Sequence, residues 1–209
     1  MRITKNLIYA TIAVLGLISC KDDDEITLLA VESSQVINLH APQTSDYTTN
    51  PPSISGDFVK FDFSTGAITT SDTDWDIAFR GTTIAVNGGT ETGSLNEPER
   101  NGNSGAYIVS DVFANVTSVT ELLFTKDSSS GFAIPTGSGN GWYDYNYMNN
   151  QITPIAGKVL VIRTADDFYA KVEILSYYKD LDPSNPANAR YYTFNYIYQP
   201  NQGVTTFED

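Results

Sequence analysis

Apolar and polar residues alternate with a period of two along much of the chain, and Gly-, Asn- and Pro-rich stretches interrupt them, a pattern that predicts short half-buried strands. Val59, Phe61 and Phe63 alternate with Lys60 and Asp62. Trp75, Ile77 and Phe79 alternate with Asp74, Asp76, Ala78 and Arg80. Residues 82–86 predict a further strand, closed by the turn pair Asn87-Gly88. Residues 106–112 read as another strand. The signal strengthens at 158–164, apolar on both faces, followed by a tight turn at Ala165-Asp166-Asp167 and an antiparallel return over 168–178. A loop over 180–188, with Pro183 and Pro186, precedes a last strand at 191–198. No repeat of fixed period runs through these elements, which argues against a solenoid or propeller. The expectation is an all-β fold: a single antiparallel β domain.

Two segments do not alternate. Val112, Val116, Val119 and Leu123 have helical spacing, and Ser118 with Glu121 has the form of a capping box, but the β-branched content argues against a long helix, so both readings stand. Residues 90–105 are rich in Gly, Asn and Glu with almost no apolar content, which predicts a long surface loop of the kind that is commonly functional or mobile.

The N-terminus follows a different rule. Arg2 and Lys5 precede the apolar run 7–18, and Leu17-Ile18-Ser19-Cys20 reads as a lipobox with Cys20, the single cysteine, as the lipid anchor. Twelve residues at about 1.5 Å each extend roughly 18 Å, too short for a hydrocarbon core of roughly 30 Å, so a cleaved signal over 1–19 fits better than a membrane helix. The pattern resembles bacterial lipoprotein signals, in which the thiol carries diacylglycerol and the new amine is acylated. Lys21-Asp22-Asp23-Asp24-Glu25 resembles the acidic export signal of surface lipoproteins in Bacteroidetes-type bacteria, and it is equally compatible with a solvated tether. Residues 20–55, with Asn50-Pro51-Pro52-Ser53 near their end, read as that tether. The compact domain is expected over 56–209.

Charge and residue counts then remove whole classes of function. The chain carries 12 Lys and Arg against 25 Asp and Glu, and loss of Arg2 and Lys5 with the signal leaves it more acidic still. Such a surface repels phosphate backbones and anionic headgroups, which argues against nucleic acid. The only histidine, His40, falls in the expected tether. No Gly-x-Ser-x-Gly elbow occurs, and no thiol besides Cys20, so nucleophilic catalysis has little support. Asp72-Thr73-Asp74-Trp75-Asp76 begins like a calcium loop but has Ile77 and Thr83 where Gly and Glu are needed. The run Trp142-Tyr143-Asp144-Tyr145-Asn146-Tyr147, set among Gly and Asn, offers flat rings with polar tips that serve equally to stack on a ligand or to pack a core.

Three segments together resemble the HmuY family of haem-binding surface lipoproteins: Phe61-Asp62-Phe63-Ser64-Thr65-Gly66, Asp74-Trp75-Asp76-Ile77-Ala78-Phe79-Arg80, and Val161-Ile162-Arg163-Thr164-Ala165-Asp166 continuing through Tyr169-Ala170-Lys171-Val172. The resemblance implies one all-β domain in the outer membrane's surface layer. It also implies haem as the cargo, passed to a TonB-dependent outer-membrane receptor. It further implies two axial ligands, His or Met, one of them just after the Trp-Asp segment. That position falls at or beside Arg80, whose guanidinium has no lone pair for iron. One histidine and one non-initiator methionine exclude a bis-His or two-Met site in the domain as delimited. The remaining haem-binding candidates are Met148, a soft thioether; Tyr145 and Tyr147 beside it; and Arg80, which can pair with a propionate or, more simply, with Asp76 four residues earlier on the same strand face. Packing is the commoner role for Met148. A non-haem binding or adhesion module, for glycan or protein, is the alternative on the same fold.

Replacement of Cys20 by Ala is expected to abolish palmitate labelling and to move the chain from the detergent phase to the aqueous phase in Triton X-114 partition. Retention in the detergent phase would sink the anchor.

Overall fold

The computed structural model describes residues 27–208, so Cys20 and the signal lie outside the described residues. Two antiparallel sheets pack face to face. The larger is built from β1 (Glu32–His40), β8 (Gly105–Ser110), β11 (Lys158–Arg163), β12 (Tyr169–Tyr178) and β13 (Ala189–Gln199), in the order β1-β13-β12-β11-β8. The smaller has β4 (Val59–Asp62), β5 (Ala67–Thr69), β6 (Ile77–Arg80) and β7 (Thr83–Val86), in the order β5-β4-β6-β7. Two ribbons complete it, β2 (Thr44–Asp46) with β3 (Ser53–Ser55), and β9 (Tyr143–Asn146) with β10 (Gln151–Pro154). The expected all-β antiparallel domain is therefore what the chain forms.

The strands follow from the alternation. Phe61, Ile77, Phe79, Ile84 and Val86 of the small sheet meet Leu160, Ile162, Val172, Phe194 and Tyr196 of the large one in one buried cluster. Phe194 joins the two layers, its ring 5.6 Å from Phe61 and 5.7 Å from Phe79. Truncating such a buried ring to Ala costs about 3–5 kcal/mol, from lost transfer energy and the cavity left behind.

The run 158–164 is apolar on both faces because both faces are covered. Leu160 and Ile162 enter the main core, while Val159 and Val161 pack with Tyr107, Tyr169, Val116 and Phe207 on the far side. That cover is the segment with ambiguous periodicity. It forms two short 3-10 turns, Phe113–Asn115 and Glu121–Leu123, and Ser118 does not cap the second, which starts at Thr120 with no side-chain cap bond. Lys171 ties the cover down: its buried ammonium donates to Phe113 O and Val116 O, each at 2.8 Å, and sits 4.5 Å from the Phe113 ring.

Two expectations change. The compact fold begins well before Gly56, because β1 runs antiparallel to β13 from Glu32↔Tyr198 to His40↔Tyr191. Only Leu39 of its nine residues is buried, so backbone pairing at a sheet edge holds it where side-chain pattern does not. Asn87-Gly88 closes no hairpin. Instead the Asn87 side chain donates to Thr73 O and Trp75 O and accepts from the amides of Asn101 and Gly102, and a Cβ on Gly88 would lie 1.9 Å from Ser104 O.

The stretch 90–104 has no regular strand or helix, yet it is fastened. Arg100 donates to Glu97 (2.8 Å) and Asp127 (2.9 Å), all three side chains being about 1% exposed or less. Asp127 also accepts from the amides of Val86 and Ala133.

Asp76 forms another buried anchor. Its carboxylate accepts from Phe63 N (2.9 Å) and Ala165 N (2.7 Å), linking the small sheet to the β11–β12 turn. Burial is the main cause that raises its pKa to about 7 from an ordinary 3.8, against those two hydrogen bonds. With the folded value raised, the unfolded chain releases a proton that the fold retains, so stability falls as pH rises from about 4 to about 7. Asp76→Asn is expected to remove this part of the slope, on the order of 1 kcal/mol per pH unit, in denaturant melts across that window. Equal slopes in the two proteins would show that Asp76 stays ionised throughout.

Candidate functional site

The aromatic run at 142–147 divides between core and surface. Trp142 and Tyr143 are buried; Trp142 Nε1 donates to Thr82 O at 3.0 Å, and its rings lie 5.2 Å from Tyr192 and 5.9 Å from Tyr177. These two residues root the β9–β10 ribbon in the main core. Beyond them the side chains emerge: Tyr145 is 43% exposed, Tyr147 79% and Met148 78%. The packing reading of the run holds for Trp142 and Tyr143, and Tyr145, Tyr147 and Met148 are accessible to a ligand.

Local bonds define the tip. Tyr145 N donates to Ser138 Oγ (2.8 Å), Tyr145 OH to Asn150 Oδ1 (2.5 Å), and Met148 N to Asn146 Oδ1 (2.9 Å). On the other strand, Ile152 N donates to Tyr178 OH (2.8 Å) and Gln151 Nε2 to Pro183 O (3.2 Å), which holds the ribbon against β12. Between ribbon and sheet lies a groove of about 190 Å³ with Ile152, Pro154, Leu175, Leu181 and Pro183 among its walls. A register shift in the β12–β13 pairing between Ile174 and Tyr178 shapes this end, so that the adjacent residues Tyr177 and Tyr178 are both buried. Burial raises the Tyr177 and Tyr192 phenols well above their ordinary pKa, keeping both neutral.

The groove had escaped the alternation pattern, though two residues signal it. Leu181 is apolar within a Pro- and Asp-rich loop, and Leu175 stands beside the register shift; they are 59% and 40% exposed.

Arg80 stands apart from Tyr145, Tyr147 and Met148. It is 3% exposed, its Cζ 4.2 Å from the centre of the Phe58 ring, and Nη1 donates to Gly56 O (3.3 Å) and to Leu95 O. Its Nε has no hydrogen-bond partner among the described residues. The expected pair with Asp76 does not form, because Asp76 precedes the first residue of β6 and its carboxylate is committed to Phe63 and Ala165. The rule that residues two apart share a face holds only within a strand. His40, expected in a tether, closes β1 and stacks on Tyr191, ring centres 4.3 Å apart. Asp72 bonds Lys60 at 2.9 Å.

These features define a two-sheet β domain with an exposed apolar-aromatic ribbon at one end. The chain belongs to the HmuY family, whose model, described as HmuY protein, matches residues 55–196. No curated protein matches it. Among solved structures, the apo HmuY analog of Tannerella forsythia is 16% identical, with 83% of this chain and 99% of that one covered and a TM-score of 0.46. A candidate lipoprotein of Bacteroides fragilis is 18% identical, with 82% and 90% covered and a TM-score of 0.44. A candidate HmuY-like heme-binding protein of Bacteroides vulgatus is 14% identical, with 82% and 93% covered and a TM-score of 0.43.

Proposed function

We propose that this chain is a non-enzymatic surface lipoprotein that captures haem for uptake. Cys20 would anchor it in the outer membrane, facing outward, and a TonB-dependent receptor would take the cargo onward. Among the described residues no helix is long and apolar enough to cross a membrane. The observation that carries the reading, in a member of the HmuY family, is the β9–β10 tip: Tyr145, Tyr147 and Met148 stand exposed beside an apolar groove on a ribbon rooted in the core.

The donor chemistry fits a single soft ligand. Met148 Sδ is a thioether at an exposed turn, Tyr145 and Tyr147 supply rings for a flat apolar ligand, and the Ile152–Leu175 groove receives an apolar edge. The acidic surface favours leaving the cargo's carboxylates in solvent. Arg80 donates to the carbonyls of Gly56 and Leu95 through Nη1 alone, but the residue is only 3% exposed, so the hairpin residues are the more accessible donors. That single-donor set is also the observation favouring the second reading, a non-haem binding or adhesion module on the same fold.

A hemin titration separates the two. Micromolar hemin is expected to give a sharpened, shifted Soret band, and Met148→Ala, at a 78% exposed position, to weaken binding at least tenfold without changing the melting temperature. An unchanged hemin spectrum with the wild-type chain, or identical titrations for wild type and variant, would overturn the haem reading at this site.

A further inference from the structure

A second cavity lies at the β5 edge of the small sheet and shares no lining residue with the groove beside the β9–β10 ribbon. It is an open depression of about 430 Å³, within the roughly 300–1,000 Å³ of small-molecule sites, between the β4–β5 hairpin and the loop at 95–98. Its walls include Phe58, Lys60, Ile68, Asp57, Asp72 and Asn96. Ile68 is 56% exposed and gives the cavity an accessible aliphatic edge.

The polar groups around it are paired with one another at the surface. Lys60 Nζ donates to Asp72 Oδ1 at 2.9 Å, and Asn96 Nδ2 to Asp57 Oδ1 at 3.3 Å. Among the described residues the second carboxylate oxygens of Asp57 and Asp72 take no hydrogen bond, so each has an acceptor to offer. The far rim is held on both sides of Asn96, a residue with φ of 59°. Leu95 O is held by the buried Arg80, and Glu97 by the buried Arg100. Two buried guanidinium groups thus immobilise a loop tip that would otherwise be free to move, and the residue between them faces the cavity. The loop that sequence composition marks as functional or mobile is the one that forms this rim.

The chemistry of the walls selects among ligands. An anion would meet Asp57 and Asp72 on a chain of net charge −13. A flat aromatic ligand would find no open ring, since Phe58 is 7% exposed. A metal ion lacks a ligand set, as no group of three or more His, Cys, Asp or Glu is assembled among the described residues. A neutral ring of hydroxyl groups meets what is present: carboxylate acceptors at Asp57 and Asp72, donors at Lys60 and Asn96, and an aliphatic face at Ile68. We propose that this cavity is a binding site for a neutral sugar ring, as a free monosaccharide or the end of a glycan. The site is separate from the β9–β10 ribbon and does not depend on the haem reading.

Saturation-transfer NMR on the folded chain, with free glucose, galactose, mannose and N-acetylglucosamine at millimolar concentration as probes, tests it. Transfer to at least one sugar is expected, with at least tenfold loss of affinity in Asp57→Ala and in Ile68→Asp. Both are exposed positions, and unchanged melting temperatures exclude misfolding as the cause. Tyr147→Ala should leave the transfer intact, and Asp57→Ala should leave hemin binding intact. Absence of transfer to all four sugars, or transfer that Tyr147→Ala abolishes and Asp57→Ala does not, would overturn the proposal.

Discussion

Phe194 sits where the two sheets meet, edge-on to Phe61 and nearly parallel to Phe79, and the rest of the molecule depends on that contact. With one cysteine in the whole chain, no internal disulfide can restrain the unfolded state, so burial of the facing sheet surfaces must stabilise the domain. The aromatic chain continues from Phe79 to Tyr192 (4.8 Å) and from Tyr192 to Trp142 (5.2 Å), where the β9–β10 ribbon begins. The platform at the ribbon's tip is therefore an extension of the core. Its rigidity is borrowed from the same packing that holds the sheets together.

Buried polar groups do what pattern alone could not. Arg80, Arg100 and Lys171 are all withdrawn from solvent, and each fastens a segment outside the sheets: the rim at 95, the loop at 97–100 and the cover at 113–116. Taking cations inside is costly unless each finds carboxylates, carbonyls or ring faces, and here each does. A consequence is electrostatic. Three carboxylates, Asp76, Glu97 and Asp127, go inside with the three cations, so the exterior keeps the acidic excess of the chain and disfavours anionic ligands.

Strands marked by period-two alternation or by a continuous apolar run were legible from the chain itself, as at Val59–Asp62, Ile77–Arg80 and Lys158–Arg163, the last two being covered on both faces. β1 was not, because an edge strand with one buried side chain is held by main-chain bonds to β13, and main-chain bonds leave no trace in residue type. The same blindness put His40 in a tether. Of the candidate site, the aromatic run and Met148 stood out by composition, whereas the groove of Ile152, Leu175 and Leu181 joins residues from three elements and exists only once they are packed.

What the amino-acid sequence determined by itself was local: strands of period two, an acidic composition, and an inventory of one His and one non-initiator Met that limits metal chemistry. Tertiary structure alone decided which side chains those residues meet. It turned Asp76 from Arg80 toward the amides of Phe63 and Ala165, drew Arg80 under the loop at Leu95, and split the aromatic run into a buried root and an exposed tip. The reason is that partner choice for a buried charge or ring depends on contacts far apart in sequence. Those contacts form only when two sheets close over one core.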